Sequence, residues 1–152
     1  MDLIFSTATF HWIKDHDRLF RRLAQALKPQ GRLVAQCGGK GNTAWTQNAM
    51  EQGMGEGRFP MFFTGLEDPW NFAAAMTTKA RLKAAGFGEV NNLAARGALG
   101  VRSDGRVGRF LKTVVLGHRL ERLPESEWGN TLLLWLPHGS HTEESSSWTT
   151  PA

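Results

Sequence analysis

Among the residues able to do chemistry, His11 has the most suggestive setting. It follows Ser6-Thr7-Ala8-Thr9-Phe10 and precedes Trp12. Short hydroxyl and methyl side chains leading into an imidazole and an indole make a loop that can touch a ligand. An imidazole titrates near neutrality and can act as a general base. Packing or a backbone hydrogen bond is the structural alternative for the same ring. Cys37 closes an apolar stretch and has no evident base beside it, so a nucleophilic role has little support. His16, His118, His138 and His141 do not combine with Cys37 into zinc-ligand spacing, and no metal site is expected. Gly38-Gly39-Lys40-Gly41-Asn42-Thr43 is glycine-rich but lacks the spacing of a phosphate loop; a flexible strand-to-helix turn is the default reading.

The elements around His11 read as one unit. Asp2-Leu3-Ile4-Phe5-Ser6 is a short apolar run of the kind that forms a buried parallel strand. Asp15 or Asp17 can cap a helix whose apolar stripe is Leu19, Phe20, Leu23 and Leu27. Pro29 and Gly31 stop it. A second strand follows, Arg32-Leu33-Val34-Ala35-Gln36-Cys37. Strand, helix and strand with tight connections imply a parallel βαβ unit with a right-handed crossover. In such sheets ligands bind beyond the carboxyl ends of the strands. Those ends are Ser6-Thr7-Ala8 and Cys37-Gly38-Gly39, side by side in space.

Downstream, Asn42 or Thr43 can cap a helix through Trp45 and Met50. Residues 53–72, with Phe59, Phe62, Phe63, Trp70 and Phe72, read as an irregular apolar segment: a lid over a pocket or a core-covering loop. Thr77 or Thr78 starts a short helix with Leu82 inward and Gly86 at its end, and residues 87–93 follow as a strand. Residues 95–106 read as a loop, and Val107, Phe110, Leu111, Val114 and Val115 mark another helix.

Composition bounds the class. At 152 residues, 41% hydrophobic and 21% charged, the chain suits a globular domain and excludes collagen-like or disulfide-dense classes. No apolar run reaches the roughly 18 residues of a membrane span. One cysteine makes no intramolecular disulfide and no signal peptide is visible, which points to a reduced, cytoplasmic protein. All 18 Lys and Arg, and 10 of the 14 acids, precede residue 125. The basic residues are scattered rather than clustered, so a solvated surface explains them better than nucleic-acid binding. Residues 125–152 carry four glutamates, no basic residue and nine Ser and Thr. That division gives a body, 1–124, and a divergent tail, 125–152, expected to be poorly ordered apart from the run Leu132–Leu136.

Two stretches carry a family resemblance. Asp2-Leu3-Ile4-Phe5-Ser6-Thr7-Ala8-Thr9-Phe10-His11-Trp12 and Leu27-Lys28-Pro29-Gln30-Gly31-Arg32-Leu33-Val34 resemble class I S-adenosylmethionine-dependent methyltransferases. The nearest variety is the trans-aconitate methyltransferase-like proteins, with which Pro69-Trp70-Asn71-Phe72, Ala84-Ala85-Gly86-Phe87 and residues 110–116 are also consistent. The resemblance implies an α/β fold, an incomplete Rossmann-like methyltransferase fold: a parallel βαβ unit plus additional helices and a strand. It places the first stretch at the fourth sheet strand and the second at the turn into the fifth. It implies S-adenosylmethionine as cofactor, with Ser6, Thr7 and Ala8 lining it, His11 facing the substrate and the Phe59–Phe72 segment closing the pocket. The methyl acceptor would be a small molecule, such as a carboxylate.

The family's Gly-rich cofactor loop and its ribose-binding acid are missing from this chain, which reads as the C-terminal part of such a domain. A non-catalytic remnant or interaction partner is the alternative that this absence raises. Thr7 stands where the family often has Asn, and Gln30 where the turn often has Gly. Without the preceding strands, residues 2–6 become a bare apolar edge. Marginal stability and self-association through that edge are expected.

Overall fold

The computed structural model describes residues 1–55, 59–97, 109–128 and 143–151. They fall into two compact units. One comprises Met1–Asn42, Pro69–Ala98 and Thr142–Ala152; the other comprises Thr43–Asp68 and Leu99–His141. The division interleaves the chain rather than cutting it near residue 124.

The first unit is built on the βαβ element. Strand β1 (Leu3–Thr7) pairs in parallel with β2 (Arg32–Gly38), with Phe5 opposite Val34. Helix α1 (His16–Ala26) makes the crossover. Asp15 caps it, accepting from the Arg18 backbone N–H at 2.8 Å, which satisfies a donor at the helix start. The exit turn is tight: the Gly31 N–H donates to the Lys28 carbonyl at 2.9 Å. Gln30 occupies the glycine-favouring position of that turn with φ 66°. A Cβ on Gly31 would lie 2.9 Å from the Lys28 oxygen and 3.0 Å from the Met1 oxygen, so a side chain does not fit there.

Helix α4 (Ala75–Ala84) packs beside α1, and β3 (Asn91–Gly97) follows it. Ala74 occupies the N-cap, so Thr77 and Thr78 lie inside the helix rather than before it. Gly86 follows the helix with φ 100°. The core joins Phe10, Phe20, Leu27, Leu33, Ala35, Cys37, Leu82, Phe87 and Val90, with Ile4, Leu19 and Leu23 packed against it. Leu33, Ala35 and Cys37 alternate inward along β2 while Arg32 and Gln36 are exposed, as expected of a sheet buried on one face. Leu3 and Phe5 share the open face and are 56% and 69% exposed.

Among the described residues the sheet has four strands in the order β1-β2-β4-β3. Strand β4 (Glu143–Pro151) runs antiparallel between β2 and β3, with Ser147 opposite both Gln36 and Leu93. The sheet is therefore mixed, and only β1 and β2 are parallel. Order over 143–151 departs from the tail expected at 125–152. Ser/Thr-rich composition predicts little apolar burial, but an inserted strand is held by hydrogen-bonded neighbours on both sides. The Leu132–Leu136 run and Val107 lie outside the described residues. β3 begins four residues later than the sequence strand and includes residues read as loop.

In the second unit, α2 (Ala44–Met54) and α3 (Pro60–Phe63) precede a π-helical turn (Leu111–Val115) and α5 (Gly117–Leu120). Described backbone is helical over 109–115, as expected from Phe110, Leu111, Val114 and Val115, but π-helical from Leu111 onward. Met50, Val115, Leu116, Leu120 and Leu123 are buried in this unit. Arg119 is buried too and forms an ion pair with Asp68.

Candidate functional site

The carboxyl ends of β1 and β2 lie side by side, as the βαβ reading requires. Ser6 pairs with Ala35 and Thr7 with Gln36. The Ala8 N–H donates to the Gln36 carbonyl at 2.7 Å, and Ala8 then turns the chain away with φ 51°. Ser6 is half-buried, and Thr7 and Ala8 are exposed. The Thr9 hydroxyl donates to the Thr7 carbonyl at 2.8 Å and stiffens the bend.

A short 3-10 turn, Phe10–Trp12, carries His11 back across the end of β2. Phe10 is its buried anchor, edge-on to Phe20 at 5.8 Å between ring centroids. The Gly38 N–H donates to His11 Nδ1 at 3.2 Å. That contact makes Nδ1 an acceptor, so the neutral ring carries its proton on Nε2. Burial lowers the His11 pKa, with a further lowering from His16. His11 is thus a neutral hydrogen-bond donor held by β2. The base role expected from its type fits this geometry less well, because the basic nitrogen is already engaged.

His16 supports the turn from below. Its Nε2 lies 2.9 Å from the Phe10 carbonyl, and Arg81 lies 3.4 Å from Nδ1. Burial is the main cause of its lowered pKa, and the Arg81 charge adds to it.

Residues 70–73 form the remaining wall, which the sequence reading divided differently. Phe72 stacks on His11 at 5.3 Å, and Trp70 stands edge-on to Trp12 at 5.7 Å. The Asn71 N–H donates to the His11 carbonyl at 2.7 Å, and its side-chain amide donates to the Lys14 carbonyl at 2.7 Å. The Lys40 N–H donates to the Ala73 carbonyl at 3.1 Å. This strap lies some sixty residues from His11 in a segment without periodicity, so no sequence pattern pairs them. Of the expected Phe59–Phe72 lid, only Trp70 and Phe72 belong to this unit; Phe59, Phe62 and Phe63 belong to the other.

The end of β2 is filled. A Cβ on Gly38 would lie 2.7 Å from both the Phe72 ring and the Asn42 amide. At the β1 end, Thr7 and Ala8 are exposed instead. Among the described residues no cluster of His, Cys, Asp and Glu is arranged to hold a metal, and no helix is long and apolar enough to cross a membrane.

Residues 1–35 match the methyltransferase domain family. Over 32 residues the chain is 59% identical to a malonyl-[acyl-carrier protein] O-methyltransferase of Calditerrivibrio nitroreducens, a match spanning 21% of this chain and 13% of that protein. The fold is similar to that of Haemonchus contortus phosphoethanolamine N-methyltransferase 2. Its complex with phosphomonomethylethanolamine and S-adenosylhomocysteine matches with a TM-score of 0.50 and 16% identity, over 99% of this chain and 33% of that one. Its S-adenosyl-L-methionine complex matches with a TM-score of 0.50, 17% identity and the same coverage. The chain thus spans a third of the length of the enzyme it matches in structure.

Proposed function

We propose that this chain, whose sequence match and fold are those of a class I S-adenosylmethionine-dependent methyltransferase, supplies part of the site for methyl transfer to a small molecule. One observation carries the reading. The segment matching the family, residues 1–35, covers β1, α1 and the first half of β2, the stretch that carries Ser6, Thr7, Ala8 and His11.

The residues fit one wall of a cofactor site. Ser6 and Thr7 bring hydroxyls on short side chains, and exposed Ala8 adds only a methyl at the bend. S-adenosylmethionine would supply an electrophilic methyl group on a sulfonium. Transfer from that group depends on alignment and exclusion of water more than on strong acid–base help. The chain's contribution is accordingly positional. Neutral His11 offers its Nε2–H to an acceptor oxygen, and Trp12, Trp70 and Phe72 keep water from the ring. A carboxylate is the substrate class that such a donor suits, because its oxygen is nucleophilic without losing a proton.

Calorimetric titration of folded protein with S-adenosylmethionine tests the reading. Saturable one-to-one binding, weakened about tenfold by Ala8→Phe, is the expected result. Absence of heat at millimolar cofactor would overturn it and leave a non-catalytic chain.

A further inference from the structure

We infer that His16 is a positioning residue: its imidazole, with Nδ1 turned to Arg81, holds through Nε2–H the turn that presents His11, and lets go when it takes a proton. The consequence for ligand binding rests on the cofactor site proposed above. The hold on the turn does not.

The geometry specifies one form of the ring. His16 is the first residue of α1 and only 3% exposed. Phe20 lies against it at 5.5 Å between ring centroids. Nε2 is 2.9 Å from the Phe10 carbonyl oxygen, an acceptor, so Nε2 carries the proton. Nδ1 faces the Arg81 guanidinium at 3.4 Å. A guanidinium only donates, so Nδ1 keeps its lone pair. The Phe10 oxygen also accepts from the Ile13 N–H at 2.9 Å. The bond that closes the turn and the bond from His16 thus meet on one atom, next to His11.

A proton on Nδ1 removes the acceptor facing Arg81 and sets two cations together at a buried place. The N-terminal end of α1 adds to the positive potential. The charged or titratable groups facing His16 are Arg81 from α4, Asp15 and Asp17 beside it on α1, and His11 from the turn. Both acids are exposed and engaged: Asp17 pairs with Arg81 at 3.6 Å, and Asp15 caps the Arg18 N–H. The charged ring therefore moves toward water and takes its donor from Phe10. Arg81, 65 positions along the chain, sets the acidity at which this happens. It acts on His16 and not on His11, whose lowered pKa comes from burial and from His16.

NMR titration reads each imidazole separately, and the backbone amides of residues 10–13 report the turn. In the wild type those amides should shift with the His16 midpoint. Arg81→Met should move that midpoint, and the turn with it, to higher pH. His16→Gln keeps a donor where Nε2 stood but does not titrate, so the turn should hold down to about pH 5. His16→Leu removes the donor, and the turn should be open throughout. Circular dichroism melts confirm that each variant is folded. S-adenosylmethionine binding should weaken about tenfold between about pH 7.5 and pH 5 in the wild type. Most of that loss should vanish in His16→Gln. Amide shifts that follow the His11 midpoint overturn the inference. So does a His16 midpoint unmoved by Arg81→Met, or a His16→Gln turn that opens in acid as the wild type does. A wild-type chain that binds no cofactor refutes the methyl-transfer reading alone, because the turn is read without ligand.

Discussion

The two strands that flank β2 invert the usual relation between polarity and position. β1, with the apolar run Leu3-Ile4-Phe5, lies at the edge and exposes Leu3 and Phe5. β4, Glu-Glu-Ser-Ser-Ser-Trp-Thr-Thr-Pro, lies inside with a partner on each side. A strand's place in a sheet follows from which backbone groups find partners, and hydrophobicity alone does not assign it. Among the described residues, the apolar strand is the one paired on a single side.

Paired proline substitutions break or uphold this contrast most sharply. Ser147→Pro, in the middle of β4, should destabilise by about 2–4 kcal/mol, because it interrupts ladders in the sheet interior. Phe5→Pro, at an outward-facing N–H, should cost less than about 1 kcal/mol. Urea unfolding measures both, and equal losses would dissolve the distinction.

A smaller effect tests what holds the β1 side in place of a second strand. Gly38→Ala would push a methyl into Phe72 and Asn42 and disturb the bond to His11. A loss of about 1–3 kcal/mol is expected, with a shifted His11 imidazole resonance in the NMR spectrum.

Acid should separate the two sides by mechanism. His11 and His16 both have folded pKa values below 6.5. The unfolded chain therefore takes up protons first as the pH drops. Stability is full above about pH 6.5 and declines below it as pH falls toward the folded values. Hydrogen exchange at pH 5 should show residues 8–12 opening before the β2–β4 ladder. Uniform opening at both places would count against a histidine-held turn.

The smallest effect lies in the turn that feeds β2. Gln30→Gly should raise stability by roughly 0.5 kcal/mol, since it relieves a left-handed residue but adds freedom to the unfolded chain. Thermal melts suffice to measure it.

Legibility in the sequence followed the range of the interactions. The βαβ unit was readable because its signals are local: the Asp15 cap, the Leu19–Phe20–Leu23 stripe and the Pro29–Gly31 stop. Its strands and helix lie within a residue or so of their expected bounds. Strand β4 was not readable, because its place comes from pairing with residues at least 46 positions away. The site divided in the same way. The type and place of His11 were evident, but its neutral tautomer depends on Gly38, and the wall around it depends on Asn71 and Phe72. Nothing local in the sequence announces those contacts.

The edge-on indoles of Trp12 and Trp70 give this region an optical signature. At 5.7 Å between ring centroids their excited states couple, and coupled chromophores produce a paired positive and negative band in circular dichroism. Trp12 is 43% exposed while Trp70 is buried, so a molecule entering beside His11 would perturb one member of the couple and change the band shape. The loop after β1 thus carries its own label-free reporter, which Trp12→Phe would silence.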